Sequence, residues 1–255
     1  TPWGSDVLRA KKYQLRGLRK LVQKSNWVTC TQGSRFEKDI VTLLDIPKEK
    51  LYNLPIGIAS IDEILSRPFI TDEQAKRGKY VIVIGYNGSP AHNHIKVIKS
   101  LVFMKKQLPT NTILVCPMTY GGNPVYRKKI KRLLWNSQFE NQILENYLTA
   151  EELVCLRKAT DLFIHAQNTD ANSGTIAEYL LCRKKIVNPT WITYPHYETY
   201  GSPFYSFSNF EELPQAIMKA INDTSNKVSP LLTGNISESG WSKLACKWVE
   251  LYKKY

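Results

Sequence analysis

Beyond residue 79 the chain settles into a rhythm: short apolar runs alternate with stretches of helical spacing, joined by a few polar residues. Tyr80–Ile84 reads as a strand, 94–106 as a helix, 113–116 as a strand and 126–134 as a helix. An extended run follows at 143–148, then a helix at 150–158, a strand at Leu162–Ile164, a helix at Gly174–Leu181 and a strand at 185–187. Such alternation predicts an α/β fold, a Rossmann-like doubly wound parallel sheet covered on both faces. Two more helices are expected over 209–221 and 239–252, the second carrying Trp241, Leu244, Trp248 and Leu251. Residues 222–238, rich in Ser, Asn and Thr, read as a loop.

Upstream the pattern is thinner. Residues 7–24 have helical spacing with bases between the apolar positions, 27–31 form a β-rich run, 36–44 a helix and 51–58 an extended run broken by Pro55 and Gly57. One strand–helix unit and part of another cannot close a core alone. We therefore divide the chain into 1–58, the end of an N-terminal domain; 59–235, the Rossmann-like domain; and 236–255, a C-terminal helix. The opening at Thr1-Pro2-Trp3-Gly4 lacks an initiator Met, which leads us to expect a piece of a longer protein whose targeting segment is not in this sequence.

Composition narrows the classes. Hydrophobic residues make up 43% and charged residues 22%, ordinary for a globular protein, and the longest apolar runs are strand-length, far short of the roughly 20 residues of a membrane span. The five cysteines show no C-x-x-C spacing and favour free thiols in a reducing compartment. The four histidines form no metal-ligand pattern, so no metal is expected. The net charge of +13 clusters at 9–24, at 127–132, at Arg183-Lys184-Lys185 and at Lys253-Lys254. A solvated surface, nucleic acid or an anionic membrane face could each account for it, and no nucleic-acid-binding motif is present.

The chemistry concentrates in 161–187. An apolar strand ends at His165; a polar loop holds Asp170; Ser173, Gly174 and Thr175 open a helix that carries Glu178. A helix N-terminus offers free amides to a phosphate. Asp170 could simply cap that helix, whereas Glu178, among Ile176, Ala177, Leu180 and Leu181, calls for a partner because a buried carboxylate is costly alone. Two other loops follow strands. Gly85, Asn87, Gly88, Ser89, Asn93 and His94 follow the first, and Pro117 to Tyr126, with Gly121 and Gly122, follow the second. Neither is a dinucleotide or P-loop fingerprint, and either alone could be a plain turn. A sugar-phosphate epimerase would need a fuller fingerprint than Gly85 and Gly88 supply.

On these residues the chain resembles the glycosyltransferases of the GT-B fold, group 1 in particular. Trp3-Gly4-Ser5-Asp6 resembles the end of a first-domain strand, Trp27 to Thr31 with Lys50 to Ile58 an interdomain crossing, and Asp170-x7-Glu178 the donor-site element with Asp in place of the first Glu. A closer similarity is to the TDP-Fuc4NAc lipid II transferases: Gly85 to Ser89 with Asn93-His94, Pro117 to Tyr126, and Leu148 to Leu153. Where group 1 enzymes place an Arg and a Lys, this chain has Tyr86 and Asn93/His94, which leaves retention or inversion open.

The resemblance implies a metal-independent hexosyl- or deoxyhexosyl-transferase without a cofactor, its donor a UDP-, GDP- or TDP-linked sugar. The acceptor would be a polyprenyl-diphosphate-linked or other saccharide of bacterial surface polysaccharide synthesis. The enzyme would be cytoplasmic and peripheral on the anionic inner face of the cell membrane, with no nucleic-acid partner. Glu178 would bind the ribose, amides of Gly85–Ser89 and of 173–175 the diphosphate, with His94 as imidazolium partner. Tyr147 and its neighbours would flank the base, and Asp170 would lie near the sugar as the one weak catalytic candidate. Two alternatives stand beside it: a non-catalytic nucleotide-binding module, and a basic nucleic-acid-binding α/β protein.

Overall fold

The computed structural model describes residues 7–31, 33–225 and 227–254. Its centre is a six-stranded sheet of β3 (Tyr80–Ile84), β4 (Thr112–Pro117), β5 (Glu140–Leu144), β6 (Leu162–Ile164), β7 (Lys185–Pro189) and β8 (Phe204–Phe207), in the order β5-β4-β3-β6-β7-β8. Every pairing is parallel. The chain runs outward from β3 to β5 and then returns to the other side with β6, so the winding reverses between β3 and β6. A parallel sheet opens a crevice at its carboxyl edge where the order reverses.

Period-2 geometry explains why the strands are apolar throughout. Ile82 and Ile84 of β3 point to one face, and Val81 and Val83 to the other; all four are buried. The first face is covered by α5 (His94–Phe103), α6 (Pro124–Asn136) and α10 (Leu213–Asn222), through Val97, Ile98, Ile130, Leu134, Leu213 and Ile217. The second is covered by α3 (Ala59–Ser66), α7 (Ala150–Ala159), α8 (Gly174–Leu181) and α11 (Pro230–Ser237), through Ile61, Ala159, Tyr179, Leu180 and Leu232. The doubly wound sheet expected from the sequence is present.

Five elements differ from the sequence reading. The extended run placed at 143–148 is β5 at Glu140–Leu144: its Glu140, Asn141 and Gln142 pair with β4 while their side chains stay exposed on the sheet edge. A polar edge strand carries no apolar signature. Residues 222–238 hold α11, started by Pro230 and by Ser229, whose hydroxyl accepts from the Leu232 amide. The boundary region holds α3 and the short α4 (Asp72–Lys76), closed by a Thr71–Gln74 capping box. The strand β8, after the single-turn helix α9 (Pro195–Glu198), lies in a stretch between Gly201 and Phe210 where the sequence predicts no strand.

The N-terminal segment folds as α1 (Lys12–Lys24), β1 (Val28–Cys30), α2 (Arg35–Leu44) and β2 (Leu51–Asn53), with β1 and β2 paired in parallel. Val22, Val28, Ile40 and Leu44 form its core. The resemblance drawn for Trp3 to Asp6 lies outside the described residues. The last helix, α12 (Trp241–Lys253), returns to this unit: Leu244, Trp248 and Leu251 pack on Leu54, with Trp27, Tyr52 and Ile56 around them. The Trp248 indole donates to the Pro55 carbonyl at 3.1 Å, and Asp62 of α3 accepts from the Ser242 amide at 3.0 Å.

Trp248 is thus the fastening between the two ends of the chain. Trp248→Ala is expected to cost about 3–5 kcal/mol in urea unfolding, and to open Leu54 and Trp27 to solvent before the six-stranded sheet unfolds, read as early hydrogen exchange of β1 and β2.

Candidate functional site

All six strands end on one edge, so the loops that follow them meet there. The loop after β3 and the loop after β4 clasp each other. The Gly88 amide donates to the Tyr120 carbonyl at 2.7 Å, and a Cβ on Gly122 (φ +70°) would stand 2.1 Å from the Gly88 carbonyl oxygen. Only glycine fits both sides of that crossing. The Ser89 amide is taken by Asn87 Oδ1 at 2.8 Å and the Gly85 amide by the Ile164 carbonyl at 3.1 Å. Three amides of the 85–89 loop, read from the sequence as diphosphate donors, therefore already have acceptors inside the fold.

Asn93 crosses the crevice. Its amide nitrogen donates to the Ala166 carbonyl at 2.8 Å and to Asn168 Oδ1 at 2.7 Å, stitching the β3 loop to the β6 loop. His94 starts α5 but is fully buried, with Nδ1 3.1 Å from the Tyr126 hydroxyl and Nε2 turned against Gly85. Burial pushes its pKa down to about 4. At neutral pH His94 is an uncharged buttress of the loop, which corrects the imidazolium role suggested by the sequence.

Beside the crevice lies a buried polar network that sequence spacing could not reveal. His165 Nδ1 is 2.9 Å from Asn188 Oδ1, and its Nε2 is 3.2 Å from Gln167 Oε1 and 3.4 Å from Asp170 Oδ2. The Tyr194 hydroxyl donates to Asp170 Oδ2 at 2.6 Å and the Tyr86 hydroxyl to Gln167 Oε1 at 2.9 Å. The other carboxylate oxygen of Asp170 accepts from the Ala171 amide at 2.8 Å. Burial disfavours a charged His165, but its bonds to Asp170, Asn188 and Gln167 outweigh burial and raise its pKa.

The Ser173 side chain does not cap α8 and the Asn93 side chain does not cap α5, but the Tyr126 hydroxyl accepts from the His94 and Ile95 amides of α5, so α8 turns the less engaged N-terminus and its dipole to the crevice. Glu178, on the second turn of α8, already has partners: Arg157 Nε at 2.6 Å and the Ser60 hydroxyl. A carboxylate can accept about four hydrogen bonds, so acceptor capacity remains. At the outer end of the edge Tyr120 and Tyr147 lie parallel, ring centroids 6.1 Å apart and both exposed.

Arginines from outside the crevice pin its loops: Arg9 to the Thr169 hydroxyl (2.9 Å) and carbonyl (3.1 Å), Arg35 to the Trp191 carbonyl (2.8 Å), Arg127 to the Gly121 carbonyl (2.8 Å). Among the described residues no group of three or more His, Cys, Asp or Glu is placed to hold a metal ion. All five cysteines are free; burial pushes the Cys30 and Cys116 thiols up to about 12.

No protein-family model and no curated protein matches this sequence. Solved structures do. A glycosyltransferase from Rickettsia africae superposes with TM-score 0.70 at 17% identity, over 96% of this chain and 67% of its own. Anabaena HepE in complex with UDP-glucose gives 0.72 at 15%, over 99% and 71%. A sucrose-phosphate synthase from Thermosynechococcus elongatus gives 0.66 at 14%, over 98% and 63%. The chain spans about two thirds of the length of these proteins. At such identities the likeness establishes the fold, the Rossmann-like architecture of GT-B glycosyltransferases.

Two predictions follow from the geometry. Glu178→Ala leaves Arg157 buried without its counter-charge and is expected to cost about 3–5 kcal/mol in urea unfolding; Glu178→Gln, which keeps an acceptor for Ser60, should cost less.

The second concerns acid. Burial lowers the pKa of His92 to about 2, helped by His94, His165 and Arg9, and burial alone lowers His94 and His196 to about 4. The unfolded chain takes up these protons near pH 6.5 and the folded chain does not, so stability falls as pH drops through 6.5. Each imidazole costs about 1.4 kcal/mol per pH unit in that range. His165, with its raised value, acts oppositely: its contribution is complete below pH 6.5 and is lost as pH rises through its folded pKa. Urea midpoints between pH 7 and 5 should fall steeply, and His92→Phe should remove about a third of that slope.

Proposed function

We propose that this chain is the donor-binding part of a GT-B glycosyltransferase that takes its sugar from a nucleoside diphosphate, with UDP the first candidate. The observation that carries the reading is the arrangement at the β3/β6 switch point: the N-terminus of α8, which the Ser173 side chain leaves uncapped, meets that of α5 at a crevice beside which Asp170, His165 and Gln167 lie. Its fold is shared with Anabaena HepE, whose structure contains UDP-glucose. On this reading residues 1–58 close an N-terminal domain, 59–235 bind the nucleotide sugar and 236–255 return to the first domain.

The roles divide by position. Tyr147, parallel to Tyr120, offers its exposed face to the base. Glu178 accepts from ribose hydroxyls with the acceptor sites that Arg157 and Ser60 leave. Amides of Ser173, Gly174 and Thr175 receive the diphosphate, stabilising charge that develops as it leaves. Asn87, Ser89 and Asn93 hold the β3 loop against that position, and Arg9 supplies the nearby cation. Asp170 lies where the sugar would sit. The acceptor is a saccharide or a lipid-linked diphosphate, and a bacterial surface polysaccharide transferase of the TDP-Fuc4NAc lipid II type is the finer form of the proposal.

Thermal melting with UDP, GDP and TDP tests it. The matching diphosphate, at a hundredfold excess over Kd, should raise Tm by about 5–10 °C, and Tyr147→Ala should lose most of that shift without changing the melting of the free protein. No shift with any of the three would sink the donor-site reading.

A further inference from the structure

The three most exposed large apolar side chains among the described residues are Trp135 (85%), Phe103 (82%) and Val125 (78%). All three stand on α5 and α6, the adjacent helices that cover one face of the sheet. A layer helix has no packing reason to expose a Trp, and single exposed apolars elsewhere are commonplace; three of them on one layer form a patch.

The same layer is basic, as is α1, whose exposed apolar side chains, Tyr13 (66%) and Leu21 (64%), are fewer and less exposed. Between them α5 and α6 carry Lys96, Lys99, Arg127, Lys128, Lys129, Lys131 and Arg132, and neither helix has an Asp or Glu. Some of these bases are occupied. Arg127 and Lys131 reach Glu145 on the flank, Lys96 lies over the Phe210 ring, and Lys105, just past α5, donates to the carbonyls of Ser137 and Gln138. Lys99, Lys106, Lys128, Lys129 and Arg132 form no ion pair among the described residues. At 100° per residue Val125, Lys128, Lys129, Arg132 and Trp135 fall on the outward side of α6, opposite the buried Ile130 and Leu134.

We propose that the outward face of α5 and α6 docks on an anionic lipid bilayer. Unpaired bases meet lipid phosphates while Trp135, Phe103 and Val125 enter the headgroup layer, where an indole is at home. Nucleic acid would use the bases equally well and its nucleobases stack on aromatic rings, but it gives aliphatic Val125 no partner, and the duplex DNA and RNA arm of the test below separates the two. Val125 and Trp135 are ten residues apart, about 15 Å along the helix axis, so α6 lies along the surface when both touch it. Since α5 and α6 begin at the crevice edge, that pose holds the candidate site within about one helix length of the lipid. The face stands independently of the donor-site reading, which the UDP, GDP and TDP melting shifts report separately.

Flotation of the full chain with phosphatidylcholine vesicles, with and without phosphatidylglycerol, tests this. Binding is expected only with the anionic lipid and should weaken on raising NaCl. Lys128→Gln/Lys129→Gln/Arg132→Gln should weaken it about a hundredfold, at roughly fivefold per base. The exposed pair Phe103→Ser/Trp135→Ser should weaken it with charge unchanged, and the emission difference between wild type and Trp135→Phe should shift to the blue on binding. A matched control on α1, Lys12→Gln/Arg16→Gln/Lys20→Gln, should stay within about threefold. Loss confined to the α1 variant, equal binding to neutral vesicles, or binding to duplex DNA or RNA without binding to lipid would each overturn the proposal.

Discussion

The ion pair of Arg157 and Glu178 sets the position of the helix on which the candidate site depends. The two side chains are 7% and 8% exposed, and taking such ions out of water costs several kcal/mol each. Geometry offsets that cost only because every contact is made. Arg157 Nε meets the carboxylate at 2.6 Å, Nη1 meets the Tyr179 hydroxyl at 3.0 Å, the guanidinium lies 4.6 Å from the Tyr179 ring centroid, and Ser60 takes the other carboxylate oxygen. A well-packed apolar pair would serve stability as well. What the ions add is registry: α3, α7 and α8 can satisfy them in one relative placement, and that placement aims the N-terminus of α8 at the crevice.

Around the crevice the loops are fixed by bonds that leave few choices. Gly88 and Gly122 interlock, Asn93 bridges the β3 and β6 loops, and Arg9, Arg35 and Arg127 hold one loop carbonyl each. Two of those arginines belong to the N-terminal unit, as does Thr31, which accepts from the Asn172 amide at 2.9 Å. The crevice is therefore shaped from both sides, and its rigidity is borrowed from a segment that contributes nothing to the six-stranded sheet. Such cations are dual-purpose by nature: a guanidinium that holds a loop carbonyl in the absence of ligand has donors left for an incoming anion.

Most of the sheet was legible because burial on both faces writes apolar runs directly into the sequence, as at Tyr80–Ile84 and Leu162–Ile164. It failed where burial is one-sided or capping does the work: at β5, whose edge residues Glu140 to Gln142 are polar, and at α11, hidden in a Ser/Asn/Thr-rich stretch. Asp170 and Glu178 were legible as chemistry, since both sit on one strand–loop–helix unit. Their partners were not. Tyr194 lies 24 residues from Asp170, Arg157 21 from Glu178 and Ser60 118 from it; no local spacing rule joins positions that only the fold brings together. The imidazolium expected at His94 does not form for a related reason: the sequence shows its place at a helix start but not that Gly85 and Tyr126 enclose it.

The network around Asp170 also constrains what the residue can do. One oxygen accepts from the Ala171 amide, and the other accepts from the Tyr194 hydroxyl with His165 Nε2 at 3.4 Å. A carboxylate held this way has lone pairs to spare for a sugar hydroxyl, but its orientation is spent on three fixed partners, and moving to take a proton would break them. His165 is no freer: its raised pKa reflects the same contact, and its other nitrogen is turned to Asn188. On the proposed donor-site reading, that favours electrostatic positioning of the sugar over proton transfer by either group.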